Sequence, residues 1–241
     1  MPARIIEFEG LDCSFKETNS IALKKALEER GYDVHLFSFP NYGNESCTLV
    51  EKFLKDEFTF DTKECTPYAI STFYSMDRYF TYMKDIKSIY ENGDENTIII
   101  FDRWVNSNFY QIARLKAINL DRLRQYNAID EVPKLYKNAI ASYKDWLYKF
   151  EFGALKLPRA DHIIFMRTPY EISKKIIARK KNKDKNERDE EFTEKVYIIN
   201  DIVFKTMRDV MIVNTCKSNG EFRSRKDIAS EVLAKVLSVL E

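Results

Sequence analysis

Apolar positions along the chain follow two rhythms. Short runs rich in branched residues at 5–9, 34–39, 97–102, 163–166 and 210–214 read as five strands. Several are continuously apolar rather than alternating, which suits strands covered on both faces of a parallel sheet. Between them, helical spacing runs over 16–30, 45–56, 67–91, 104–119, 133–152, 169–181, 190–207 and 224–240. Gly31 is a fitting C-terminal cap for the first of these, and Ser224 with Asp227 three residues on is a fitting N-terminal cap for the last. Strands alternating with helices predict an α/β fold with a central parallel sheet and right-handed crossovers. No repeat and no Pro/Gly/Ser-rich linker divides the sequence, so residues 1–241 are expected to form one domain.

Composition changes this picture little. The 241 residues are 44% hydrophobic and 32% charged, with a formal net charge of +1, so no overall field favours nucleic acid or a membrane surface. No apolar run approaches the roughly 18 residues of a membrane span, and the expected location is cytoplasmic. Cysteines at 13, 47, 65 and 216 lack the close spacing of a zinc or redox site. The only histidines, His35 and His162, lie beside apolar runs, which argues against histidine-based catalysis.

Candidate chemistry concentrates at strand ends. Residues 4–18 read as strand, glycine-led turn and lysine-led helix, the order of a phosphate-binding P-loop. In such a loop, successive backbone N–H groups face a concavity and the helix N-terminus adds partial positive charge. The loop's candidate residues are Gly10, Leu11, Asp12, Cys13, Ser14, Phe15, Lys16, Glu17 and Thr18. Lys16 would supply a mobile point charge to phosphate. Phe15 stands where the pattern has its second glycine, and Glu17 where it has Ser or Thr.

Three further clusters agree with that reading. The third strand ends in Asp102-Arg103-Trp104, at the sheet edge where open α/β folds bind ligands. There an Asp can hold hydrated Mg²⁺ and an Arg can grip phosphate. Tyr74 and Arg78, four residues apart on one helix face, suit stacking and edge recognition of a flat base. The turn from Ser38 to Gly43, with Phe39, Pro40 and Tyr42, can wall a pocket. A charge run at 179–191 reads as a solvated loop or lid, basic in its first half and acidic in its second.

Taken together, these residues resemble the thymidylate kinase family of P-loop nucleoside-monophosphate kinases. The resemblance rests on Phe8-Glu9-Gly10-Leu11-Asp12, Phe39-Pro40, Tyr74 with Arg78, Asp102-Arg103-Trp104 with Ser107-Asn108, Pro169-Tyr170-Glu171, and the basic stretch after Ala178. It implies a three-layer α/β/α P-loop fold with a five-stranded parallel sheet and a basic lid. It also implies transfer of the ATP γ-phosphoryl group to deoxythymidine monophosphate (dTMP) with Mg²⁺, by a homodimer. By the resemblance, Lys16 would hold ATP phosphates, Asp12 the sugar 3′-hydroxyl, and Arg103 the acceptor phosphate. Tyr74 would stack on thymine, Arg78 and Asn108 would meet its edge, and Gln111 would lie near the sugar. Asp102, with Glu17 in place of the usual hydroxyl, would serve the metal. The loop after Asn214 would border the adenine. Cys13 leaves the P-loop without a basic residue inside it, so Arg179, Lys181, Lys183 or Arg188 of the lid would face the transferring phosphate. Two alternatives stay open at this point: a deoxynucleoside kinase, and a relative whose donor site is impaired by Phe15 and Glu17.

Overall fold

Branched and aromatic residues place five strands in one parallel sheet. The computed structural model describes residues 2–126 and 132–240. Its strands are β1 (Arg4–Glu9), β2 (Asp33–Ser38), β3 (Thr97–Asp102), β4 (His162–Arg167) and β5 (Val210–Asn214), in the order β2-β3-β1-β4-β5. Parallel neighbours need crossovers, and helices supply them. α1 (Lys16–Glu28) joins β1 to β2. α2 (Thr48–Leu54), α3 (Pro67–Thr81) and α4 (Lys87–Asn92) lie between β2 and β3, and α5 (Leu120–Leu123) and α6 (Lys134–Tyr148) between β3 and β4. α7 (Tyr170–Ala178), α8 (Lys185–Arg188) and α9 (Glu190–Thr206) precede β5, and α10 (Arg225–Leu240) follows it.

The alternation of side chains along β1 defines two cores. Ile6 and Phe8 pack with Leu23 and Leu27 of α1 and with Ile228, Val232 and Val236 of α10. Ile5 joins the opposite core with Trp104, Phe109, Tyr143 of α6 and Ile199 and Val203 of α9. Burying each such large side chain contributes about 1.5–3 kcal/mol. The sheet is thereby covered on both faces, as its near-continuous apolar strands require.

This topology fixes where a ligand can sit. The chain leaves β1 toward β2 on one flank, then leaves β3 for β4 on the other side of β1. The loops after β1 and β3 therefore part at the carboxyl ends of two neighbouring strands, where open sheets form their crevice. Register pairs Phe8 with Asp102, and the Arg103 N–H donates to the Phe8 carbonyl at 3.0 Å. Residues 9–12 and 102–104 thus emerge side by side.

Two helical expectations differ from the structure. Residues 104–119 do not form an α-helix; Val105–Arg114 is a succession of 3₁₀ turns. Asn106 and Ser107 hydrogen-bond back to β1 carboxylates, and Asn and Ser readily trade helix for such local bonds. The stretch at 67–91 is interrupted by a π turn at Tyr82–Ile86, and α6 runs on into a second π turn at Lys149–Ala154. Within the charge run, α8 is started by a capping box in which Asp184 accepts from the Glu187 N–H at 2.8 Å. Among the described residues no helix is long and apolar enough to cross a membrane.

Gly10 is required where β1 turns into the loop. Its φ is +143°, and a Cβ there would sit 2.4 Å from the Met166 carbonyl oxygen and 2.8 Å from Ser14 Oγ. Gly220 has φ +83° with nothing within 4 Å of that position. Gly10→Ala is expected to cost about 2–4 kcal/mol in urea unfolding, against about 1–2 kcal/mol for Gly220→Ala. Equal costs would contradict this account of the loop.

Candidate functional site

The loop after β1 wraps as its sequence suggests, with two non-glycine residues in left-handed conformations. Cys13 has φ 65° and Phe15 has φ 63°. The second is the position where the common pattern has glycine, and a left-handed Phe there costs about 1–2 kcal/mol. Its ring meets Phe222 edge-to-face, with centroids 5.1 Å apart, a contact that contributes about 0.5–1.5 kcal/mol and offsets much of that strain. No side chain caps the N-terminus of α1, so its first N–H groups face the loop. Glu17 and Thr18 are exposed there. Asp12, Cys13, Ser14, Phe15, Lys16, Glu17 and Thr18 line a hollow with Phe39, Asp102, Arg103 and Ile176.

Lys16 is buried and folds onto its own loop, donating to the Leu11 carbonyl at 2.7 Å. Burial, then the Arg103 charge, lowers its pKa to about 8 against the pull of Asp12, Asp102 and Glu9. Arg103 leaves β3 with φ 70° and forms an ion pair with Asp12. Its guanidinium also donates to Tyr110 Oη at 3.1 Å, and Tyr110 in turn donates to the Gly10 carbonyl at 2.8 Å. Burial acts to raise the Asp12 pKa, but Arg103, Lys16 and Lys180 outweigh it and hold the carboxyl below its usual value. Asp102 is nearly buried, and its Oδ1 has no hydrogen-bond partner.

A second hollow opens beside the first. Asp12, Phe39, Tyr42, Tyr74, Arg78, Arg103, Asn108 and Gln111 all line it, so the structure brings these sequence candidates together. The 39–46 turn is fastened to α3: Asp77 accepts from the Asn41 N–H at 2.8 Å and from Ser46 Oγ at 2.9 Å. The Phe39-Pro40 peptide is cis. Arg78 is buried and donates through Nε and Nη2 to Glu151, at 2.8 and 2.5 Å. Asn108 Nδ2 lies 3.1 Å from the same carboxylate, and Gln111 Oε1 accepts from Arg114 Nε at 3.0 Å.

The lid closes this second hollow with residues other than those the sequence singled out. Asp184 and Asn186 line it, whereas Arg179 is exposed and neither it nor Lys183 lines either hollow. Lys180 pairs with Glu187. Lys185 and Arg188 both reach Asp56, at 2.5 and 2.6 Å, and Arg114 Nη2 reaches Asn186 Oδ1 at 2.5 Å while its guanidinium stacks on Phe192. Within a run of alternating charges, spacing gives no means of ranking these residues. Glu151 left a clearer trace, because it continues the buried stripe of Tyr136, Ile140, Tyr143 and Leu147 at helical intervals. An acid on an apolar stripe signals a buried partner. Among the described residues, no three carboxylate, Cys or His side chains converge as a protein-only metal cage.

The depressed Lys16 pKa makes a linkage prediction. Between about pH 8 and the ordinary lysine value near 10.4, the unfolded chain holds more of this proton than the folded one. Stability from this group therefore rises with pH across that window. The stability of wild type relative to Lys16→Met is expected to rise between pH 7.5 and pH 10, followed by chemical unfolding. A difference independent of pH would refute the assignment.

Comparison with known proteins follows the same residues. Residues 8–134 match the family model described as thymidylate kinase. Thymidylate kinases from two strains of Mycobacterium tuberculosis are 24% identical over 170 residues, covering 70% of this chain and 68% of those proteins. The solved structure of thymidylate kinase from Candida albicans superposes with a TM-score of 0.67 at 18% identity, covering 98% of this chain and 92% of that one. That likeness establishes the fold. The matched segment holds the P-loop, the 39–46 turn, α3 and the Asp102-Arg103 edge, and the chain belongs to the thymidylate kinase family.

Proposed function

We propose that this chain transfers the γ-phosphoryl group of ATP to dTMP, giving dTDP and ADP. The observation that carries this reading is the meeting of the two hollows at Asp12, Phe39 and Arg103. Phosphoryl transfer needs donor and acceptor phosphates in line, and the protein contributes mainly position and charge. A phosphate-loop hollow that opens through a shared arginine onto a base-sized cleft supplies that arrangement.

The ion pairs and hydrogen bonds of the site define what each residue would exchange on binding. The N–H groups of residues 10–18 receive the ATP phosphates, and Lys16 trades the Leu11 carbonyl for a phosphate oxygen. Arg103 trades Asp12 for the acceptor phosphate, which frees Asp12 to accept the sugar 3′-hydroxyl. Each charge thus keeps a polar partner throughout. Tyr74 stacks on the base, Phe39 and Tyr42 wall it, and Gln111 borders the sugar. Asn108 commits its nitrogen to Glu151 and so offers its oxygen to thymine N3–H, while Arg78 turns its remaining nitrogen toward O4. Arg179 and Lys183, with Lys180 nearer the loop, supply lid charge.

The residues present suit Mg²⁺, which keeps several waters and leans on one or two carboxylates plus substrate phosphates. Asp102, with its unpartnered buried oxygen, and Glu17, exposed at the same hollow, would hold it. When bound, the ion neutralises charge on the transferring phosphate. A homodimer in the cytoplasm is proposed with this reading. Exposed Phe80 near the end of α3 and Met83 in the π turn that follows support the first part, and the four free cysteines suit a reducing compartment.

ADP release coupled to added dTMP tests the activity. Turnover with dTMP should exceed that with thymidine, since Arg103 has a phosphate to bind only in the former. Lys16→Ala should lose about 10²–10³ in kcat. No turnover above that variant would defeat the proposal.

A further inference from the structure

The base end of the cleft carries an ionic cluster that the transfer reaction itself does not use. Glu151 is fully buried in the π turn after α6. Its Oε1 accepts from Arg78 Nη2 at 2.5 Å, from Ser75 Oγ at 2.8 Å and from Asn108 Nδ2 at 3.1 Å, while its Oε2 accepts from Arg78 Nε at 2.8 Å. Arg78 can only donate and reaches both oxygens, so the carboxyl serves as an acceptor, while the single Ser75 hydroxyl proton is shared between Glu151 and the Ser71 carbonyl at 2.9 Å. Asn108 Nδ2 also lies 3.3 Å from the Ser71 carbonyl, which likewise can only accept. Flipping the Asn108 amide would turn its oxygen against two acceptors at once. Tyr143 fixes the residue from behind, donating to the Asn108 carbonyl at 3.0 Å.

We infer that Glu151 is a specificity-determining positioning residue, which locks Asn108 oxygen-outward and Arg78 donor-outward so that the cleft accepts a pyrimidine with an imide edge and rejects cytosine. The inference rests on the reading of this cleft as a pyrimidine-monophosphate site. Thymine and uracil offer an N3–H donor and an O4 acceptor. Cytosine offers a bare N3 acceptor and an N4–H₂ donor, the reverse pattern. Against a locked acceptor and a locked donor, cytosine would leave both protein groups buried and unpaired. A site built for hydrogen bonds in this way rejects the mismatched ligand by about 10⁴–10⁵. Without the carboxylate, Asn108 loses the nearer of the two acceptors that hold its amide, only the Ser71 carbonyl at 3.3 Å remains, and discrimination at N3 weakens. Glu151 need never touch the substrate to exert this control.

The test compares kcat/KM for dTMP, dCMP and dUMP, with ATP and Mg²⁺, in wild type, Glu151→Gln and Glu151→Asp. A ratio of two substrates measured in one sample does not depend on the fraction folded, and the aspartate variant keeps the buried charge should the glutamine variant not fold. The dTMP-to-dCMP ratio is expected to fall by about tenfold or more in Glu151→Gln, with Glu151→Asp between it and wild type. The dTMP-to-dUMP ratio rests on a methyl group rather than on the polar edge, so it should move less than about twofold. If wild type discriminates and both variants discriminate equally well, the inference fails. It also fails if both ratios collapse together, because Glu151 would then be only a scaffold. A wild type that turns over no pyrimidine monophosphate defeats the functional reading itself.

Discussion

Two acids on the central strand dictate where the segment after β3 runs. Glu7 and Glu9 project from β1 into a face that is otherwise apolar, and both are fully buried. Burying a carboxylate without partners costs several kcal/mol, so the chain leaving β3 has to come to them. The Trp104 N–H lies 3.3 Å from Glu9, and Ser107 Oγ donates to the same oxygen at 2.6 Å. Asn106 donates to Glu7 through its backbone at 3.1 Å and its side chain at 2.8 Å. Burial, reinforced by the Glu9 charge, pushes the Glu7 pKa well above the carboxylate range. Residues 104–107 are thereby bent back along β1. That path turns Arg103 left-handed toward the P-loop and delivers Asn108 to α3.

The site inherits its character from this forced path. Positive and negative side chains meet at the carboxyl ends of β1 and β3 in numbers that would be costly if any one stood alone. Three pairs form there and in the adjoining helices: Arg103 with Asp12, Arg78 with Glu151, Lys180 with Glu187. The pairs differ in kind. Arg103 and Asp12 are partly accessible and face both hollows, as the proposed exchange with phosphate and sugar requires. Arg78 and Glu151 are almost wholly enclosed, and their pair is part of the wall. One arginine is thus free to change partners, and the other is held still.

The sequence made the strands, the P-loop and the base-side cluster legible because each rests on short-range pattern. Runs of branched residues, a glycine before a lysine-led helix, and Tyr74 four residues before Arg78 need no tertiary knowledge. The segment after Trp104 was misleading for a physical reason: its apolar spacing is helical, yet Asn106 and Ser107 answer carboxylates nearly a hundred positions away. Phe15 defied the glycine pattern because Phe222, far along the chain, offsets its backbone strain. In the lid, Asp184 and Asn186 line the cleft, and α8 is pinned to Asp56, a contact no local pattern reveals. Glu151 is absent from the sequence candidates; an acid on an apolar stripe was the one available signal, and its partners left none.

The central claim is that donor and acceptor phosphates meet at Arg103 across one continuous cleft. Binding of an adenosine–thymidine dinucleotide joined through five phosphates, measured by calorimetry against dTMP and ATP singly, addresses it directly. The joined ligand should bind at least about 10²-fold tighter than either nucleotide, since the second contact becomes intramolecular, and Arg103→Ala should abolish most of that gain. Affinity no better than that of dTMP alone would mean that the two hollows do not serve one reaction.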